Sequence, residues 1–163
     1  MKSHQRNVHA LTSLSVKEIA ASITTVSKSR SLINETLFTD HSISLSEITS
    51  NTNLTRDRYW KRKNNVESWS LDEIEEVSTL ILKKQVYKPA DKAFFKELKK
   101  CIRTMRLFLD NLVTYLTIQD ISTDNLLREI PLTKDKYYYR RNNPKSWKFS
   151  ELQELLTYVE SKV

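Results

Sequence analysis

Apolar residues recur along this chain at intervals of three and four, the spacing of one helix face. Ile19, Ile23, Val26, Ile33 and Leu37 follow it through residues 16–38, and Leu71, Ile74, Val77 and Ile81 through residues 71–84. In residues 91–117 the set Phe94, Phe95, Leu98, Ile102, Met105, Phe108, Leu109, Leu112 and Leu116 covers more than one stripe. Such a helix would join the halves of the chain or offer a dimerisation surface. A fourth apolar helix is predicted over residues 149–161. Short polar segments lie between these, at 44–50, 56–63, 123–130 and 134–141. Ser44 stands three residues before Glu47, as in a capping box. Thr55 and Ser70 are good N-caps. Asp57, in the first turn of 56–63, faces the positive end of the helix dipole. Asn64-Asn65 is predicted to end that segment through a left-handed C-cap.

Part of this pattern occurs twice. Residues 54–81 and 132–159 align at a constant offset of 78, and twelve of the 28 pairs are identical. About two would be expected by chance at ordinary residue frequencies. LTRDRYWKRKNNVESW in the first stretch becomes LTKDKYYYRRNNPKSW in the second. The match continues upstream through Ile43/Ile121 and Ser44/Ser122, and after a one-residue gap reaches VKEI at Val16 against FKEL at Phe95. A period this long fits duplicated domains. We therefore expect two tandem copies of a roughly four-helix unit, residues 1–86 and 87–163, divided at Tyr87-Lys88-Pro89-Ala90. The 163 residues contain no Gly and only three Pro. That argues against Gly-rich phosphate loops and for an all-α fold.

In each copy a short helix, a brief turn and a strongly basic helix follow one another, the helix-turn-helix signature. Ile48 and Leu54, and Leu126 and Leu132, occupy the positions of its inter-helix contacts, and Tyr59 and Tyr137 the inward position of the second helix. The unit resembles the lambda-repressor/Cro class of helix-turn-helix domains, common in phage and bacterial regulators. The resemblance implies double-stranded DNA as the partner, a transcription-regulating role and a second helix that enters the major groove. The turn of that class usually carries Gly; here it holds Asn53 and Pro131. Asn can adopt the left-handed conformation and Pro cannot, so the second turn is expected to be built differently.

Charge sharpens this picture. The chain carries a net +7. Residues 54–65 hold five cations against one acid, a net +4, and residues 132–148 hold six against one, a net +5. Together they exceed the whole, so the remainder is slightly acidic. Concentrated positive charge at matching places is what phosphate neutralisation requires. In a recognition helix the first turn and the next point at base edges. That nominates Arg56, Asp57 and Lys61 in the first copy, and Lys134, Asp135 and Tyr139 in the second. Asp57 and Asp135 are explained equally well as capping carboxylates. Arg58, Arg62, Lys63, Lys136, Arg140 and Arg141 are expected at phosphates, with Lys145 and Lys148 adding to them.

Tyr59, Tyr137, Trp69 and Trp147 are expected in the core. Trp60, Tyr138 and Tyr139 are more open, and rings beside arginines can stack on unpaired bases. RNA or single-stranded nucleic acid is accordingly one alternative partner. A virion or adaptor module that keeps the fold for protein contacts, or a homodimer formed through 91–117, is another.

No enzyme is expected. His4, His9 and His41 are scattered, and no Cys/His spacing suits zinc. Asp72, Glu73, Glu75 and Glu76 are read as one solvated helix face. No cofactor or small-molecule substrate is implied. Cys101, the single cysteine, is expected to be a buried thiol. The chain shows no signal-peptide core and no apolar run of membrane-spanning length, so a cytoplasmic protein is expected.

Overall fold

The computed structural model describes residues 14–39 and 43–162. Among them every regular element is helical, as expected for an all-α chain. The first repeat supplies α1 (Val16–Thr39), α2 (Leu45–Asn51), α3 (Arg56–Asn64) and α4 (Leu71–Lys84). The second supplies α5 (Lys92–Asp110), α6 (Leu112–Ile118), α7 (Thr123–Glu129), α8 (Lys134–Asn142) and α9 (Phe149–Glu160). Short 3-10 turns sit at Val66–Ser68, Pro89–Asp91 and Pro144–Ser146. The three histidines lie outside the described residues.

The expected N-caps form. The hydroxyls of Ser44, Thr55, Ser70, Ser122 and Thr133 each accept the N–H three residues on. At Ser70 the box is reciprocal, because Glu73 also accepts the Ser70 N–H. The single helix expected over 91–117 is interrupted at Asn111. Its backbone leaves the helical region at φ −124°, and its side chain donates to the Leu107 carbonyl. Asn competes for backbone groups in this way, which breaks the ladder between α5 and α6.

Left-handed residues fall elsewhere than expected. Asn65 is extended at φ −142°, and the positive-φ positions among the described residues are Gln85 and Asp120. Each follows a helix and is closed by a bond from the next residue back to an earlier carbonyl: Val86 N–H to Ile81, and Ile121 N–H to Leu116. This is the Schellman arrangement that Gly usually occupies.

The described residues form two compact units, one within 25–102 and the other made of 103–162 with 14–24. These are not the two repeat copies. The sequence repeat divides at 86/87, whereas the packing boundaries fall inside α1 and α5. Each unit nevertheless holds one short helix, one turn, one basic helix and the helix that follows it. The expected inter-helix residues are buried in both: Ile48, Leu54 and Tyr59 in one, Leu126, Leu132 and Tyr137 in the other. Trp69, Trp147 and Cys101 are buried as expected. Of the apolar set in 91–117, all but Phe94 are buried. No helix among the described residues is long and apolar enough to cross a membrane.

Candidate nucleic-acid interface

The two basic helices begin alike. Thr55 caps α3 and Thr133 caps α8. The turn before each is built without a left-handed residue. In the first, the Leu54 N–H finds the Thr52 hydroxyl at 3.2 Å, and both the N–H and the side-chain amide of Asn53 donate to Glu76 at 2.7 and 2.6 Å. In the second, the Leu132 N–H reaches back two residues to the Ile130 carbonyl at 2.7 Å. That closes a tight turn centred on Pro131, whose fixed φ suits it. The second turn is thus built differently, around Pro131.

One cation of each helix is withdrawn from the surface. Arg62 is buried, and its Nε and Nη2 donate to the two Glu73 oxygens at 2.8 and 3.0 Å. Arg140 makes the same two bonds to Glu151 at 2.9 and 3.1 Å. The expectation that Arg62 and Arg140 contact phosphate is therefore corrected. Their planar guanidinium forks match a carboxylate bidentately and tie each basic helix to the helix after it. Glu73 is likewise not part of a solvated face, whereas Glu76 stays half-exposed while bonded to Asn53. Burial alone would raise the Glu73 carboxyl, but the Arg62 bonds, the Ser70 N–H and the Arg62 charge together hold it below its ordinary value. Glu151 is lowered in the same way, with Arg140 and the Lys148 N–H outweighing its burial.

A second tie exists in one unit only. Asn34 of α1 accepts the Trp69 indole N–H at 2.7 Å, and its amide donates to the carbonyls of Arg62 and Lys63 at 3.2 and 3.3 Å. This is what closes the end of α3 in place of a left-handed cap. The corresponding stretch of the second copy offers Leu112 and Val113, which are apolar. There the Trp147 indole N–H and the Tyr137 hydroxyl are buried without a protein partner.

With Tyr59 and Arg62 facing inward, Asp57, Trp60, Lys61 and Asn64 occupy the opposite side of α3, each residue turning about 100° from the last. All four are exposed. Arg56, Arg58 and Lys63 lie toward its flanks and are exposed too. Arg58 also approaches Glu73 at 3.6 Å while remaining half-exposed. On α8 the outward side is Asp135, Tyr138, Tyr139 and Asn142, flanked by exposed Lys134 and Lys136. Lys145 and Lys148 are exposed in the segment that follows, and Arg141 is half-buried.

Cations lie over outward rings in both copies. Lys63 Nζ stands 5.1 Å from the Trp60 ring, and the Arg141 guanidinium 4.8 Å from Tyr138. Trp60 is 43% and Tyr139 58% exposed, unusual for rings of this size. Asp57 and Lys61, and Asp135 and Tyr139, thus lie on the outward sides, with Arg56, Arg58, Lys63, Lys134 and Lys136 on the flanks, Lys145 and Lys148 exposed beyond α8 and Arg141 half-buried; Arg62 and Arg140 are turned inward. Asn34, Glu73, Glu76 and Glu151 organise the site without having been nominated. The signal for two of them was present, since an identical Arg and Glu recur eleven residues apart in both copies.

Compared with known proteins, the chain matches no family model, no curated protein and no solved structure. Among the described residues no cluster of His, Cys, Asp and Glu could hold a metal ion.

Proposed function

We propose that the chain binds double-stranded DNA, with α3 and α8 each entering a major groove, and regulates transcription in the manner of phage and bacterial helix-turn-helix proteins. It is a binding protein and not an enzyme. The observation that carries this reading is which charge stays at the surface. Arg56 and Arg58 on α3 and their counterparts Lys134 and Lys136 on α8 are exposed at corresponding places, with Lys61 and Lys63 exposed on α3 besides, while Arg62 and Arg140 fix the helices that present them. Flanking cations suit phosphates, and outward residues between them suit base edges.

The exposed rings of Trp60 and Tyr139 favour single-stranded nucleic acid as the second reading, since aromatic faces stack on unpaired bases. Selection from a random duplex pool, with a random single-stranded pool in parallel, separates the two. Enrichment of a duplex motif is expected. Equal retention of every duplex alongside tight single-strand binding would overturn the duplex reading in favour of the second.

A further inference from the structure

The two basic helices are held in the same rotational setting but do not show the groove the same chemistry. The setting is fixed by three hydrogen bonds that recur atom for atom, the Thr cap and the two Arg-to-Glu bonds, whose lengths agree to within 0.1 Å between copies, and by a Tyr buried at the same inward position. Residues 78 apart therefore face outward alike. On that outward side Asp57/Asp135 and Asn64/Asn142 are identical, and the differences are Trp60/Tyr138 and Lys61/Tyr139. Trp60 and Tyr138 are both aromatic and both lie under a cation. The change of chemical class is confined to one position: an ammonium at Lys61, an aromatic ring at Tyr139.

We propose that Lys61 and Tyr139 are the specificity-determining pair of the molecule, so that one chain reads a DNA site whose two halves differ at this position. This rests on the duplex-DNA reading above. A Lys ammonium donates to guanine O6 and N7, the paired acceptors of a G·C pair in the major groove. A ring presents an apolar face, which fits the C5-methyl of thymine. Tyr139 is well placed for that contact. It is the most exposed of the large apolar residues among those described, and it sits 5.8 Å from the Arg140 guanidinium, which Glu151 anchors. The half-site under α3 thus takes G·C where the half-site under α8 takes A·T.

The test uses the full chain and the duplex enriched from a random pool, then duplexes varied at one position in each half. Lys61→Tyr should shift the first half from G to T, and Tyr139→Lys the second from T to G, with discrimination changing by about 5- to 100-fold at the altered half only. Both side chains are exposed, so both variants should keep the wild-type circular dichroism spectrum. Replacing the recognised thymine by deoxyuridine removes only the methyl. It should weaken the wild type several-fold and leave Tyr139→Lys unaffected. Identical halves in the wild-type motif, base preferences unmoved by the exchanges, or indifference to deoxyuridine would overturn the inference while leaving duplex binding intact. Failure of the wild type to bind any duplex, or preference for single strands over the enriched duplex, would overturn both.

Discussion

Glu73→Ala should be among the most damaging single changes in this chain. Its carboxylate accepts two bonds from Arg62 and one from the Ser70 N–H, and both partners of the ion pair are nearly enclosed, with side chains 9% and 5% exposed. Truncation strands a buried guanidinium, which costs about 3–5 kcal/mol, and opens the cap of α4, which costs about 1 kcal/mol more. In a chain of this length each kcal/mol moves the melting temperature by about 2–4 °C. A fall of roughly 8–24 °C in thermal unfolding, followed by circular dichroism, is expected. Glu151→Ala should cost about half as much, because its pair with Arg140 is more open at 15% and 17%. Arg62→Ala combined with Glu73→Ala should cost less than the two singles added, by about 2 kcal/mol, since the double change leaves no unpaired charge. A fall under about 2 °C for Glu73→Ala, or strict additivity in the cycle, would refute the role of this pair as the tie between α3 and α4.

The carboxyls of Glu73 and Glu151 are held below the ordinary carboxylate value despite their burial, so the folded state favours their charged forms. Their contribution is therefore fully present above about pH 4.3 and is lost as pH falls through the lower folded values. Melting temperature against pH should drop in that acid range, and less steeply in Glu73→Gln; parallel curves would speak against it. Asn34→Ala removes the acceptor for Trp69 and the donor to two helix-end carbonyls, and should cost about 2–3 kcal/mol in urea unfolding. Tyr137→Phe, by contrast, deletes a buried hydroxyl with no protein partner and should be neutral or stabilising by up to about 1 kcal/mol in the same assay.

Most of the helices were legible because their caps are local chemistry. Thr55 and Ser70 act on the N–H three residues ahead, and the spacing of Leu71, Ile74, Val77 and Ile81 marks the buried face of α4. The repeat located the basic helices, since the same phrase recurs with its charge. What was not legible depends on partners distant in sequence. Arg62 and Arg58 are two cations of one short helix, and composition cannot say that one is buried against Glu73 while the other stays at the surface. Asn34 closes α3 from 28 and 29 residues away, so the end of that helix was assigned to a left-handed Asn65 that is in fact extended. The left-handed positions fell on Gln85 and Asp120 because the chain has no Gly to mark them. The division into packing units at Thr24/Thr25 and Ile102/Arg103 leaves no mark in the sequence, since both points lie inside continuous helical patterns.

The most direct test of the DNA-binding claim is affinity for the enriched duplex measured against salt concentration. Four or more phosphate contacts from the exposed flanking cations should give a log–log slope steeper than about −3.5, and Arg58→Ala with Lys136→Ala should make it shallower by about two. A slope near zero, or a slope that the double variant leaves unchanged, would contradict the assignment of these helices to the DNA backbone.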